Sequence, residues 1–275
     1  MARPAVAVVV LYNTTCSESP TCKALEQTGR DVQVLIYDNS TRDLGNRAQC
    51  EALGWTYLGG TGNMGLSKAY NACIDYLTAR DFDGFICLFD DDTALTPAYF
   101  QALSQEANSG KQLLVPLIYA DNRLLSPCRI TPAHKSILFP DENTAMTYAG
   151  EDFSAINSAM AMDIALFRDY RYDENIFLDG IDHTHMQKMI ARGIQPAVLN
   201  VRFDHSFSGD EQPPKASAVT RFSLFAKDYA YIFRKHRARY LFLVGKRAVH
   251  LTLQYKSPVF LRVLLQNLSS QQNRR

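Results

Sequence analysis

Residues 85–92, Phe-Ile-Cys-Leu-Phe-Asp-Asp-Asp, join an apolar run to three consecutive acids. The apolar run reads as a buried central strand and the acids as its carboxyl end. Adjacent carboxylates repel, so three together imply a cation nearby. Hard oxygen ligands of this kind suit Mg²⁺ or Mn²⁺. In open α/β sheets, ligands bind where strands reach their carboxyl ends. A solvated turn before the helix opened by Thr96-Pro97 explains one aspartate more easily than three. Asp90, Asp91 and Asp92 are therefore the first candidate site, for a metal and the phosphates it would bridge.

Three further segments fall at matching places: Leu11-Tyr12-Asn13 after the first strand, Asp38-Asn39-Ser40 after the second, and the glycine-rich run 59–65 leading into a helix. A glycine-rich turn lets backbone approach a diphosphate, and a helix N-terminus favours the anion. Asp38 is placed to accept hydrogen bonds from a base or ribose. Together these segments describe a nucleotide-diphosphate site. Gly60, Gly62 and Gly65 satisfy G-x-G-x-x-G, but a dinucleotide fold carries that motif after its first strand, whereas here it follows the third.

A second group of polar residues lies downstream. Asp179 and Asp182 flank the start of a helix expected over 181–191. A hydroxyl nucleophile needs a carboxylate or histidine to take its proton. One of the two aspartates can face such an acceptor while the other caps the helix or binds a neighbour. His183 and His185 are two apart, so on a helix they point to different sides. They read as surface or acceptor-site residues rather than a metal pair.

The elements that must position these groups alternate. Strands are expected over 5–12, 32–37, 55–58 and 84–89, with helices over 20–28, 45–53, 65–78 and from Thr96 to about 107. Such alternation predicts an α/β fold, a mostly parallel central sheet flanked by helices. Beyond it, 113–119 reads as a strand, 120–150 as a hairpin or loop, 154–162 as one further strand, and 197–203 as the last, closed by Asp204-His205. Residues 207–215 read as a linker. A nucleotide-binding domain is thus expected over 1–215 and a basic, helical C-terminal extension over 216–275.

Charge divides at the same place. Residues 1–215 carry 17 Lys and Arg against 27 Asp and Glu, whereas 216–275 carry 12 against the single acid Asp228. By charge alone such an extension suits anionic lipid, a phosphate-bearing substrate or nucleic acid; taken with the site, nucleic acid is not an expected partner. Within it, Phe222, Phe225, Tyr229, Ile232 and Phe233 recur at helical spacing, either to pack on the main domain or to touch a membrane interface. No stretch reaches the roughly 18–20 apolar residues of a membrane span. Met-Ala-Arg-Pro runs straight into the first strand and the six cysteines show no zinc spacing. A cytoplasmic location, peripheral on the inner face of the cell membrane, is the expectation.

Six segments, 8–13, 34–40, 62–71, 88–92, 177–182 and 204–209, resemble the inverting family 2 glycosyltransferases of the GT-A fold, particularly their rhamnosyltransferase-like branch. The resemblance spans about residues 6–210; the basic extension matches only loosely. It implies a metal-dependent inverting hexosyltransferase using Mn or Mg. Such an enzyme moves rhamnose, galactose or a similar sugar from a nucleotide-diphosphate donor to a glycan or lipid-linked glycan hydroxyl, in bacterial surface polysaccharide synthesis. On this resemblance Asp38 contacts the base, and Tyr12, Asn13, Asn39, Gly62, Asn63, Lys68 and Asn71 shape the sugar-nucleotide pocket. Asp90 and Asp91 open the D-x-D, Asp92 and His205 bind the metal, and Asp182 is the general base, with Asp179 the alternative. Three positions depart from or vary within the pattern: Asp91, where Gln is frequent; Ala159, where Gly is common; and Lys68. A nucleotidyltransferase would need a cation cradling a triphosphate between Leu11 and Thr15, where there is none. A non-catalytic nucleotide-sugar binder would lack a metal acid or the base.

Overall fold

The structure is a computed structural model that describes residues 3–28, 32–106, 108–204 and 213–272. His205 and most of the expected linker lie outside the described residues. In chain order the elements are β1 (Ala5–Leu11), α1 (Pro20–Gln27), β2 (Gln33–Asp38), α2 (Asn46–Leu53), β3 (Thr56–Gly59), α3 (Leu66–Thr78), β4 (Phe85–Asp90) and α4 (Pro97–Glu106). They continue with β5 (Leu113–Ala120), β6 (Arg123–Ser126), β7 (Cys128–Ile130), β8 (Ser136–Leu138), α5 (Glu142–Thr147), β9 (Phe153–Ser154) and β10 (Met160–Asp163). After a 3-10 turn (Ile164–Phe167) come α6 (Ile181–Ala191) and β11 (Ala197–Asp204). The extension comprises α7 (Lys215–Ile232), α8 (Arg237–Tyr240), a π-turn (Leu241–Gly245), α9 (Lys246–Gln254) and α10 (Val259–Gln272).

The fold is α/β, with a mixed, mostly parallel sheet in the order β11-β5-β10-β4-β1-β2-β3 and β6 added beside β5. Strands β1 to β4 are mutually parallel where they pair, and β11 is parallel to β5. β10 enters antiparallel between β4 and β5. β1 is buried on both faces, which is why it reads as an unbroken apolar run rather than an alternation. Val6, Val8 and Val10 join the core beneath α3 and α6, while Ala7, Val9 and Leu11 join the one beneath α1 and α4.

One expectation needs correcting. The stretch 154–162 is not one strand. β9 belongs to a small sheet, β8-β7-β9, and β10 to the main one. Between them Ala159 sits at φ +57°, the left-handed region, which interrupts an extended run. The region 120–150 does hold the expected hairpin, formed by β7 and β8, with β6 folded back on β5 before it and α5 after it.

The extension has a core of its own. Phe222, Phe225, Tyr229 and Phe233 are 1%, 7%, 5% and 2% exposed and pack with Tyr240, Val244 and Phe260. These aromatics pack inside the molecule and do not face a membrane. Among the described residues no helix is long and apolar enough to cross one.

Candidate active site

Strand register brings the predicted polar residues together. Val10 of β1 pairs with Asp90 of β4, and Leu11 pairs with Asp38 of β2, which in turn pairs with Gly59 of β3. Asp90 and Asp38 therefore flank the end of β1, one strand spacing to either side, about 4.8 Å each. β10 adds its first residues at the same edge: Met160 pairs with Leu88, and the Ala159 N–H donates to the Leu88 carbonyl at 2.7 Å. Ala159 stands where the family resemblance prefers Gly, and its positive φ supplies the reason.

The acid turn is held by α1. Ser19 caps that helix and donates its hydroxyl to the Asp91 carbonyl at 2.5 Å, while the Thr21 hydroxyl donates to the Asp90 carbonyl at 2.6 Å. The carboxylates face different surroundings. Asp92 is exposed. Asp91 is half-buried, and burial first, then repulsion from Asp92, pushes its carboxyl upward against the Tyr12 backbone N–H donating to it.

The nucleotide side is a closed set of hydrogen bonds. Asp38 is 3% exposed and accepts from the Ser40 N–H at 3.0 Å, Asn46 Nδ2 at 3.0 Å and the Tyr57 hydroxyl at 3.2 Å. Asn39 donates to Asn63 Oδ1 at 3.0 Å and accepts from the Met64 N–H at 2.8 Å, tying the glycine-rich run to β2. Asn13, itself at positive φ, accepts from Thr41, and Tyr12 beside it is exposed. At Gly62, φ +87°, a Cβ would meet nothing within 4 Å, so this backbone faces open space. At Gly65 a Cβ would lie 2.7 Å from Phe177, a contact only glycine permits. Lys68 is half-buried in the first turn of α3. Asn71 is placed differently from the expectation. Its amide is fully engaged with the Tyr172 backbone and Glu174, so it braces the loop behind the pocket.

The downstream aspartates separate cleanly. Gly180 is the N-cap of α6 and neither aspartate caps the helix. Asp179 forms a two-pronged ion pair with Arg221 of α7, one contact at 2.8 Å. Among the described residues Asp182 has no cationic partner. Burial, then the charge of Asp90, push its carboxyl up to about 7, against a donated Asn157 N–H, and Asp179 adds to the rise. Tyr70 of α3 lies close enough to Asp90 and Asp182 that both charges, after burial, push its phenol upward. The loop carrying these residues is fastened on two sides. The Phe177 carbonyl accepts the Leu66 N–H at 2.7 Å from α3, and Asp228 of α7 accepts the N–H groups of Phe177, Leu178 and Asp179 at 2.8–2.9 Å.

The histidines of α6 correct another expectation. His185 is 1% exposed, stacked 4.7 Å from Tyr172, and burial pushes it down to about 3. It is a core residue, not a surface one. His183 is half-buried with Nδ1 2.7 Å from Ser154 Oγ.

Three residues at this site escaped the sequence reading. Asn157 is 3% exposed, and among the described residues its amide makes no well-formed hydrogen bond, only a loose approach to the Tyr70 phenol, whose rise it tempers. Tyr70 gave no signal beyond an apolar helix face. Asp228 did give one: it is the lone carboxylate among the twelve cations of the extension.

Residues 8–171 match the sequence profile of Glycosyl transferase family 2. The chain belongs to that family. The match stops short of the loop 177–182 and the extension. No protein of curated function matches the sequence. Among solved structures, residues 1–349 of TarS from S. aureus superpose with a TM-score of 0.51 at 12% identity, covering 96% of this chain and 80% of that one. Glucosyl-3-phosphoglycerate synthase from Mycobacterium tuberculosis, crystallised with Mn²⁺, uridine diphosphate and glucosyl-3-phosphoglycerate, gives 0.50 at 11% identity, covering 82% and 78%. At such identities these likenesses bear on the fold alone, and it is the fold of this family 2 member.

Proposed function

We propose that this family 2 protein transfers a hexose from a nucleotide-diphosphate donor to a hydroxyl of a glycan or lipid-linked glycan, with inversion at the anomeric carbon. The observation that carries the reading is Asp182 in the first turn of α6, a carboxylate without a cationic partner among the described residues, held up to about 7 by burial and Asp90 behind a loop fastened to α3 and α7. A group titrating near neutrality both accepts a proton and is ionised enough to do so.

Asp38 and the open backbone at Gly62 receive the nucleoside and diphosphate, and Tyr12 offers an exposed ring to the base. Asp182 takes the proton of the acceptor hydroxyl as its oxygen bonds to the anomeric carbon. The bond from that carbon to the diphosphate breaks on the opposite face, and the nucleoside diphosphate leaves. The Asn157 amide, buried beside Tyr70, would turn to the sugar once the donor is bound. Asp179 serves Arg221 and the shape of the loop, which leaves Asp182 as the base.

The donor set suits Mg²⁺ or Mn²⁺. Asp92 is an exposed oxygen ligand beside two more carboxylates, and these ions commonly use one or two carboxylates plus substrate phosphates. Among the described residues no three His, Cys, Asp or Glu side chains converge on one point, so the phosphates would complete the shell. Asp92 would hold the ion, with His205 the second ligand the family resemblance implies. A bound ion neutralises charge on the departing diphosphate. The Mn²⁺ and uridine diphosphate in the glucosyl-3-phosphoglycerate synthase crystals fit the same chemistry.

Incubating the protein with a panel of nucleotide sugars and Mn²⁺, and following nucleoside diphosphate release, tests the reading. Release from one donor, abolished by Asp182→Asn when acceptor is present, is expected. Retained anomeric configuration in the product would reject direct displacement.

A further inference from the structure

Among the described residues, the extension leaves one helical face uncovered. From the π-turn through α9, Phe242, Lys246, Val249, His250 and Leu253 follow one another along the chain. At about 100° per residue they fall within one stripe roughly 100° wide. All five are exposed, with Phe242 at 54%, Val249 at 51% and Leu253 at 73%. Val244 and Ala248 occupy the opposite side and are fully buried in the core of the extension. That core is therefore satisfied without the stripe. From Tyr229 to Arg275 the sequence has no acid, and Lys256 and Arg262 lie exposed at the end of α9 and in the first turn of α10, which packs on it.

We propose that this stripe is where the protein docks on an anionic lipid surface. Phe242, Val249 and Leu253 enter the boundary between headgroups and acyl chains, and Lys246, Lys256 and Arg262 meet lipid phosphate. Charge decides between occupants. Two copies meeting here would set cation against cation. Three apolar side chains also fall far short of the roughly 800 Å² per partner of a stable protein interface. With no spanning helix among the described residues, the attachment is peripheral. α7 of the same extension holds the loop 177–179 through Asp228 and Arg221, so docking would set the height of Asp182 over the bilayer. The inference rests on the proposed reaction only for its purpose, which is access to a lipid-linked acceptor.

Co-sedimentation of the full chain with vesicles of phosphatidylglycerol and phosphatidylcholine, without donor or acceptor, is the test. The parent should pellet at low salt and release at high salt. Phe242→Ser/Val249→Ser/Leu253→Ser should lower partitioning on the order of 100-fold with unchanged melting, as expected for exposed positions. Lys246→Glu/Lys256→Glu should abolish the preference for phosphatidylglycerol; should the triple variant melt early, this pair decides. Parent-like pelleting of the variants, or a parent dimer that the triple variant dissociates in sedimentation velocity, would overturn the proposal. Transfer activity is read separately, so failed docking leaves the reaction standing, and an inactive protein that binds vesicles leaves the docking standing.

Discussion

The two sides of the candidate site treat their polar groups in opposite ways. On the β2 side, Asp38 holds three donors, and Asn39, Asn63 and Asn13 bond to one another's neighbourhoods. On the α6 side, among the described residues, Asp182 lacks a cation and Asn157 has only a loose approach to Tyr70, and Ala159 sits at positive φ. Buried polar groups are normally paired, so an unpaired one needs an explanation. The first side is a finished frame that needs no ligand to be stable. The second carries a free-energy cost that a ligand can relieve, and such costs collect at functional sites.

The largest effects should come from exchanging one carboxylate on each side. Asp182→Asn should lower transfer by about 10²–10⁴-fold, the usual range for a positioned base, with donor binding kept. In the parent, kcat/KM should fall about tenfold per pH unit below about 7. Stability should move the other way. A carboxyl raised to about 7 in the folded protein, against roughly 3.9 unfolded, favours folding at low pH and loses that contribution as pH rises through 7. The neutral Asn variant escapes the loss, so its Tm should exceed the parent's at pH 8 and the gap should shrink at pH 5. Asp38→Asn should instead melt lower by about 1–3 kcal/mol, because it sets an amide donor against Asn46 Nδ2 and Tyr57. Equal signs for the two variants would break the comparison.

Removing the metal comes next. Chelation, or Asp92→Asn, should reduce donor turnover by roughly 100-fold or more, since charge stabilisation of a leaving group is worth several kcal/mol. Asp92 is exposed, so melting should hardly change, and Asp91→Asn should matter less to turnover. Full turnover in excess chelator would remove the cation from the reaction.

How far the sequence reveals each side follows the same division. β1 and β4 are visible because burial on both faces forces continuous apolar runs, and the acids after Phe89 mark where the sheet ends. Asp182 is visible through the six matching segments. The α6 side is harder to read because it depends on contacts distant in sequence. His185 looks exposed on charge and spacing, yet it lies among Phe167, Tyr170 and Tyr172. One left-handed residue at Ala159 separates β9 from β10, and no periodicity signals it. Asp228 shows as the odd charge in a basic segment, but its use appears only where α7 crosses the loop 177–179. Asp228→Ala removes the acceptor of three backbone N–H groups and should lower stability by about 2–4 kcal/mol, measured by urea unfolding. Transfer should fall further than donor affinity if the loop exists to place Asp182. Loss of both in equal measure would make it a general brace.

The smallest expected effect discriminates most sharply. Asn157→Ala deletes a buried amide that, among the described residues, has only a loose approach to the Tyr70 phenol, whereas Asn39→Ala deletes one bonded to Asn63 and Met64. Deleting a buried polar group that makes no well-formed hydrogen bond removes a desolvation penalty of about 1–3 kcal/mol but leaves a small void of comparable cost, so apo stability should change by less than about 1 kcal/mol. Asn39→Ala leaves the Met64 N–H without its acceptor and should destabilise by about 1–2 kcal/mol. Ligand binding should reverse the order for the sugar. Titration calorimetry with the nucleoside diphosphate should show Asn157→Ala unchanged, while the nucleotide sugar should bind roughly tenfold more weakly, the worth of one or two hydrogen bonds. The difference between the two ligands isolates the sugar, which a merely structural amide could not do. If Asn157→Ala melts as low as Asn39→Ala and binds both ligands like the parent, the α6 side is as finished as the β2 side, and Asn157 does not contact the donor sugar.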